Sequence, residues 1–201
     1  NIPCSIESTL ENDFHLLSQR FGLPFLLKPR RGFGSRGIVR VTSAHAFEPH
    51  RAHLGTSLMA QPVVGRDEEE FTASAFCDGK GGFFNCMTLR RRLSNEGYTD
   101  KAEVTDSDSF IPSIQELCHL FRPLGPTNFQ FRTCAEGPKL LEINPRISSS
   151  TSIRTAFGYN ESEMAMTYFL EGREPVQPRI RRGRAVRYTD EKVFYEDSVH
   201  L

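Results

Sequence analysis

Leu140-Leu141-Glu142-Ile143-Asn144-Pro145-Arg146 is the stretch on which the reading of this chain turns. As a strand, it sends Leu141 and Ile143 to one face and Glu142 and Asn144 to the other, because side chains alternate along extended backbone. Pro145 ends the ladder, having no N–H to donate. An apolar back with a front of oxygen ligands suits a sheet that packs on a core and offers a cation site. An ordinary half-buried strand with a polar outer face has the same pattern.

Immediately upstream, Thr127-Asn128-Phe129-Gln130-Phe131-Arg132 alternates strictly, aromatics one way and Asn128, Gln130 and Arg132 the other. Glu136-Gly137 supplies a turn between the two runs. A hairpin centred there puts Gln130 directly opposite Glu142, with Cβ atoms roughly 5 Å apart. Gln130, Glu142 and Asn144 then converge on one polar face. Oxygen-bearing side chains without Cys or His favour a hard cation such as Mg²⁺ over zinc.

Further toward the N-terminus, Pro24-Phe25-Leu26-Leu27-Lys28 reads as a short buried strand stopped by Pro29. Arg30-Arg31-Gly32-Phe33-Gly34-Ser35-Arg36-Gly37 follows, then a second strand over 38–41. Small residues let backbone N–H groups approach an anion that the cations neutralise, so this turn is read as a phosphate-covering hairpin. Its spacing is neither the G-x-x-x-x-G-K-[ST] loop nor the dinucleotide G-x-G-x-x-G. The apolar strand over 57–65 contains Pro62, which cannot donate a hydrogen bond. The Gln61 carbonyl and the Val63 N–H remain free to pair with a planar base.

Arg66-Asp67-Glu68-Glu69-Glu70 is a charge run whose last member opens a strand over 70–78. A glycine turn at 79–82 leads to an antiparallel partner over 83–89. Arg90-Arg91-Arg92 and residues 95–101 are read as a polar loop at the end of that strand. Its cations can hold phosphates or a carboxylate, or simply protect an edge. Helices are expected over 11–21, capped by Asn12 or Asp13 and ended by Gly22, and over 43–54, 113–121 and 162–170. His45, His50 and His53 lack carboxylate or Cys partners and read as surface groups. The serine-rich run 147–152 and Arg154 can bind an oxyanion or merely cap a helix. Arg179, Arg181, Arg182, Arg184 and Arg187 form a basic patch ahead of strand-like Val193-Phe194-Tyr195.

Composition narrows the classes. The 201 residues suffice for one good-sized domain or two small lobes. Twenty-five basic residues balance 25 acidic ones, so no global field argues for nucleic acid or a membrane surface. No apolar run approaches the roughly 20 residues of a membrane span, and mean hydropathy is −0.42. The 5 cysteines are scattered without a C-x-x-C pair, as suits reduced thiols and a cytoplasmic setting.

Taken together, these pieces resemble the ATP-grasp superfamily, and within it the branch of the carbamoyl-phosphate synthase large subunit. The likeness rests on Lys28 with the loop 30–37, the connector 61–65, the strand from Glu70, Gln130, and Glu142-Ile143-Asn144-Pro145-Arg146, which follow one another in family order. It implies an α+β fold of two lobes, with antiparallel sheets clamping ATP. The expected division is a small lobe over about 23–64, a catalytic lobe over about 65–174, and a tail over 175–201. The family's preceding α/β domain is expected to belong to a longer protein.

By position, the resemblance implies that Lys28 contacts the α- and β-phosphates, with Arg30, Gly34, Ser35, Arg36 and Gly37 folding over the triphosphate. Gln61 and Val63 would hold adenine, and Glu70 the ribose. Gln130, Glu142 and Asn144 would ligate Mg²⁺ or Mn²⁺, and Arg146, with Lys28, would stabilise the transferring phosphoryl group. Arg91 and Lys101 are candidates for phosphate or substrate contacts, and Ser149 and Arg154 for the acceptor region.

The implied activity is ATP-dependent activation of a carboxylate as an acyl phosphate, followed by attack of an amine. Carbamoyl-phosphate synthases carry an Arg where this chain has Ser149, which argues against bicarbonate and for an amino-acid or peptide-like carboxylate. The rival classes are a nucleotide-binding module without ligase activity and an RNA-binding protein using the patch from Arg179 to Arg187. Oligomeric state is left open, a homodimer included.

Overall fold

The computed structural model describes residues 4–32, 36–94 and 97–188. Two antiparallel sheets organise them, as the ATP-grasp resemblance implies: a three-stranded sheet in the order β2-β1-β3 and a six-stranded sheet in the order β8-β7-β4-β5-β6-β9. The first comprises β1 (Phe25–Pro29), β2 (Val39–Val41) and β3 (Leu58–Pro62). The second comprises β4 (Glu70–Asp78), β5 (Phe83–Leu93), β6 (Thr99–Thr105), β7 (Leu124–Cys134), β8 (Gly137–Asn144) and β9 (Arg184–Val186). Among the described residues no helix is long and apolar enough to cross a membrane.

Period-two alternation decides what the small sheet buries. Phe25, Leu27, Val41 and Ala60 point into a core closed by α1 (Phe14–Phe21) and α2 (Ala44–Phe47). Leu26, Lys28, Arg40, Met59 and Gln61 point the other way, into a cleft. Helix α1 starts where Asp13 accepts the N–H groups of His15 and Leu16, and its end is marked by Gly22 with a positive φ. The helix expected over 43–54 forms one α-turn, and residues Glu48–His53 wind as a 3-10 helix with Pro49 in its first turn.

The large sheet has two covered faces. Phe71, Ala73, Ala75, Cys77, Phe129 and Phe131 pack beneath α3 (Ile111–Phe121). On the opposite face, Phe76, Met87, Leu89 and Val104 pack under α4 (Thr151–Ala156), α5 (Glu161–Phe169) and the chain leading to β9. Where that cover ends, the face carries Glu70, Arg91, Gln130 and Arg132 in place of hydrocarbon.

One segment departs from expectation. Arg90–Arg92 and Thr99–Lys101 are strand, not loop, since β5 runs to Leu93 and β6 pairs with it from Thr99. Beyond residue 175 the chain returns to the large sheet, where β9 pairs with β6. Within its basic patch, Arg182 pairs with Asp106, Arg184 with Glu103, and Arg187 donates to the Ser149 carbonyl. Val193-Phe194-Tyr195 lies outside the described residues.

The link between the sheets passes Gly65, at φ +61°, where an added Cβ would stand 2.5 Å from the Thr133 carbonyl oxygen. Gly65→Ala is therefore expected to lower stability by about 1–3 kcal/mol, from left-handed strain and displacement of β7. Urea unfolding reads it, and an unchanged midpoint would mean that the link relaxes freely.

Candidate active site

The hairpin of β7 and β8 carries the polar front. Gln130 faces Glu142 and Asn128 faces Asn144 in register, as the sequence predicts. A bulge intervenes, however: Phe131 pairs with Leu140, so Leu141 is the extra residue. The expected division of the strand is corrected accordingly. Leu140 and Ile143 pack on the core, whereas Leu141 lines the cleft beside Glu142.

That cleft, of about 500 Å³, lies between the two sheets. It brings together Lys28, Arg30, Arg36, Gln61, Val63, Glu70, Gln130 and Glu142, eight of the expected site residues, from both sheets. Leu26, Met59 and Leu141 give it an apolar wall that site reasoning from polar residues missed. Their signal was the alternation itself, which places Leu26 and Met59 on the face of Lys28 and Gln61. Val63 follows Pro62, the last paired residue of β3. Gly37 lines an adjoining groove with Arg30 and Arg31. Gly34 and Ser35 lie outside the described residues.

Glu70 sits at the junction of the sheets, buried among cations. Its Oε1 accepts from Arg91 Nε and Nη2 at 3.2 and 2.8 Å, and its Oε2 from Arg132 Nε and Nη2 at 3.3 and 3.1 Å. The register explains this clamp, for Arg91 and Arg132 are the cross-strand partners of Glu70 on either side. Four N–H donors occupy the directions in which a carboxylate accepts. Arg91 Nη2 also donates to Gln130 Oε1 at 2.7 Å, and Arg132 reaches Asp67 at 3.0 Å. The two arginines hold Glu70 and Gln130 in fixed positions, and neither guanidinium hangs free.

Beside the cleft lies a second cavity of about 770 Å³, which contains Arg91 and Lys101 and shares Asp67, Glu70 and Arg132 with the first. Asn144, Arg146 and Ser149 line neither cavity. Arg146 and Ser149 are exposed beyond the end of β8. Asn144 is half-buried, and the nitrogen of its amide is enclosed without a hydrogen-bond partner. Amide ends are interchangeable in shape, so that enclosed position equally suits an oxygen directed at a cation.

Arg154 overturns its expected role in the acceptor region. It is fully buried at 0% exposure. Its Nη1 donates to Ser148 Oγ at 2.5 Å and faces both Glu161 oxygens at 3.4 Å. Its Nη2 donates to Thr72 Oγ1 at 2.9 Å and Asn128 Oδ1 at 2.8 Å. Burial pushes the Arg154 pKa down, and Glu161 opposes that shift. No substrate can reach this group. It fastens the loop after Arg146, through Ser148, to the sheet beneath the β7–β8 hairpin.

Comparison with known proteins follows the same geometry. A family profile described as "ATP-grasp in the biosynthetic pathway with Ter operon" matches residues 66–192. The uncharacterized protein y4rH of Sinorhizobium fredii is 25% identical over 165 residues, which cover 74% of this chain and 34% of that protein. The N5-carboxyaminoimidazole synthetase of Staphylococcus aureus, complexed with ADP, has a TM-score of 0.70 at 16% identity, over 88% of this chain and 49% of its own. The carboxyaminoimidazole ribonucleotide synthase of Aspergillus clavatus, complexed with ATP, gives 0.69 at 16% identity, over 88% and 50%. The chain thus spans about half the length of these structures and about a third of the curated relative.

Proposed function

The chain belongs to the ATP-grasp family, and on that premise we propose that it forms the nucleotide-binding part of an ATP- and Mg²⁺-dependent ligase joining a carboxylate to an amine. The observation that carries the reading is the cleft between the sheets, where Lys28 from one and Gln130 and Glu142 from the other share one wall-to-wall space. Kinship to the carbamoyl-phosphate synthase branch is part of the proposal, resting on the order of its motifs. So is a cytoplasmic setting, supported by five free thiols.

In this reading adenine lies against Leu26, Met59 and Leu141, with the Gln61 carbonyl and Val63 N–H as polar partners. Glu70, its oxygens taken up by Arg91 and Arg132, borders the ribose end of the cleft without a free acceptor for the ribose hydroxyls, and Lys28 with Arg30 and Arg36 neutralises the phosphates. A carboxylate oxygen attacks the γ-phosphorus and ADP leaves. The amine then attacks the acyl carbon, and phosphate departs as the nitrogen loses a proton. Arg146 stabilises the charge that develops, and the chain's contribution is positioning and neutralisation.

A divalent ion fits the residues present. Gln130 Oε1 keeps a lone pair beyond its bond to Arg91, Glu142 is exposed with no partner among the described residues, and Asn144 offers its unpartnered amide. Among the described residues no group of three or more His, Cys, Asp or Glu side chains is placed to hold a metal ion by itself. One carboxylate with two amides suits Mg²⁺ completed by nucleotide phosphates. When bound, the ion would supply charge neutralisation and polarise the phosphoryl oxygens.

The test is mass action. At a concentration 100 times its dissociation constant, Mg²⁺-ADP is expected to stabilise the chain by about 2.7 kcal/mol, a rise of roughly 5–10 °C in Tm. No shift at millimolar nucleotide would sink the reading. A module without ligase activity would keep this shift but release no phosphate with any mixture of acids and amines.

A further inference from the structure

The chain ahead of α1 supplies no strand to the order of either sheet, yet it is fastened to both. The Cys4 carbonyl accepts from Leu140 N–H at 2.6 Å, on the outer side of β8, an edge strand of the large sheet. Five residues on, Thr9 and Ala60 exchange both backbone bonds, at 3.0 and 2.9 Å, on the outer side of β3, an edge strand of the small sheet. Cys4 is buried at 3% exposure in the core under α3, so its side chain anchors that end as well. Extended backbone spans at most about 18 Å over five residues. While both pins hold, the two sheet edges cannot part further than that.

Between the pins the side chains alternate in direction. Thr9 stands beside Ala60, which points into the core of the small sheet. Two residues back, Glu7 lies on that same side and pairs with Arg20 of α1. Ile6 has the opposite parity, and it lines the nucleotide cleft with Leu26, Met59 and Leu141. Counted antiparallel from the Thr9–Ala60 pair, Ile6 falls level with Val63, whose N–H is a polar partner of the base in the proposed nucleotide site. A connector that only led into α1 would need neither the bond to β8 nor an apolar side chain in the cleft.

We infer that residues 4–9 form a strap across the edge of the nucleotide cleft, and that Ile6 is a base-binding residue. It completes around the adenine the apolar wall begun by Leu26, Met59 and Leu141. The inference rests on the nucleotide reading and adds to it a contact that belongs to neither sheet. The base then touches both lobes and the segment that ties them, so nucleotide binding and strap order are linked by mass action.

Calorimetric titration with two probes tests the contact. Ile6→Ala removes most of an apolar side chain from the wall, and its affinity for Mg²⁺-ADP is expected to fall about tenfold. Mg²⁺-tripolyphosphate, which offers phosphates without a base, is expected to bind Ile6→Ala and wild type alike. The control Leu10→Ala trims an exposed neighbour outside the cleft and is expected to match wild type with both probes. Unchanged ADP affinity in Ile6→Ala, an equal loss for tripolyphosphate, or an equal loss in Leu10→Ala would overturn the inference. Amide hydrogen exchange of the wild-type protein supplies a reading that needs no variant. Mg²⁺-ADP is expected to slow exchange over residues 5–9 together with 59–63, and slowing confined to 59–63 would overturn the strap. Wild-type protein that binds no Mg²⁺-ADP would overturn the nucleotide reading and this inference together, whereas wild-type binding that ignores Ile6 overturns this inference alone.

Discussion

Glu142→Ala is expected to abolish the magnesium-dependent part of nucleotide binding while leaving the fold as stable as before. The two halves of that expectation have separate causes. Glu142 is exposed and bonds to nothing among the described residues, so its truncation should change unfolding free energy by no more than about 0.5 kcal/mol. As the single carboxylate in the proposed ligand set, it supplies the only negative charge that the protein places on the ion. Without it two neutral amides remain, and Arg91 stands 2.7 Å from one of them. The affinity for Mg²⁺-ADP is then expected to fall by at least about 100-fold, close to 3 kcal/mol, toward that of ADP with a chelator. Glu142→Gln keeps the shape and an oxygen but loses the charge, and should fall between. Titration with and without chelator reads all three proteins. A wild-type magnesium response in Glu142→Ala would remove this residue from the site.

How much of this was legible from the chain depends on how local the signal is. The pairing of Gln130 with Glu142 could be read because Glu136-Gly137 fixes the turn and the alternation fixes the faces. The bulge at Leu141 could not, since nothing in the alternation of the run marks an extra residue, and it moves one leucine from core to cleft. Lys28 and Gln61 were legible because strands of the small sheet alternate cleanly between core and cleft. Strand β6 was hidden by its own charges: Asp100 and Lys101 read as loop until a partner strand is placed beside them. Glu70 was recognised as the opening of a strand. Its clamp by Arg91 and Arg132 needed the neighbouring strands, which come from residues 21 and 62 positions away.

Arg154 is the case in which local reading failed outright, and it carries the largest expected effect on stability. A lone arginine after a run of serines reads as a solvated cap, because nothing nearby in sequence announces a buried site. The fold closes Thr72, Asn128, Ser148 and Glu161 around it. Glu161 also accepts from Ser74 at 2.6 Å, so the pair ties β4, β7, the loop after Arg146 and the start of α5 into one polar knot. Arg154→Leu is expected to lower unfolding free energy by about 3–5 kcal/mol, because it leaves the Glu161 carboxylate buried at 1% exposure without a cation. Glu161→Leu should cost a similar amount for the mirror reason. The double variant Arg154→Leu/Glu161→Leu is expected to recover much of either loss, since apolar replacement of a buried pair removes both desolvation costs together. Urea unfolding of the four proteins closes the cycle. Additive losses would mean that the two groups stabilise the chain independently and that the knot is not held by their pairing. The recovered double variant also separates folding from function. Ser148 and Asn128 would still lack their guanidinium donor, so the loop carrying Arg146 and strand β7, on which Asn128 lies opposite Asn144, lose their shared anchor. Stability near wild type with weakened Mg²⁺-ADP binding is the expected outcome. Full binding in that protein would show that the hairpin positions the site without Arg154.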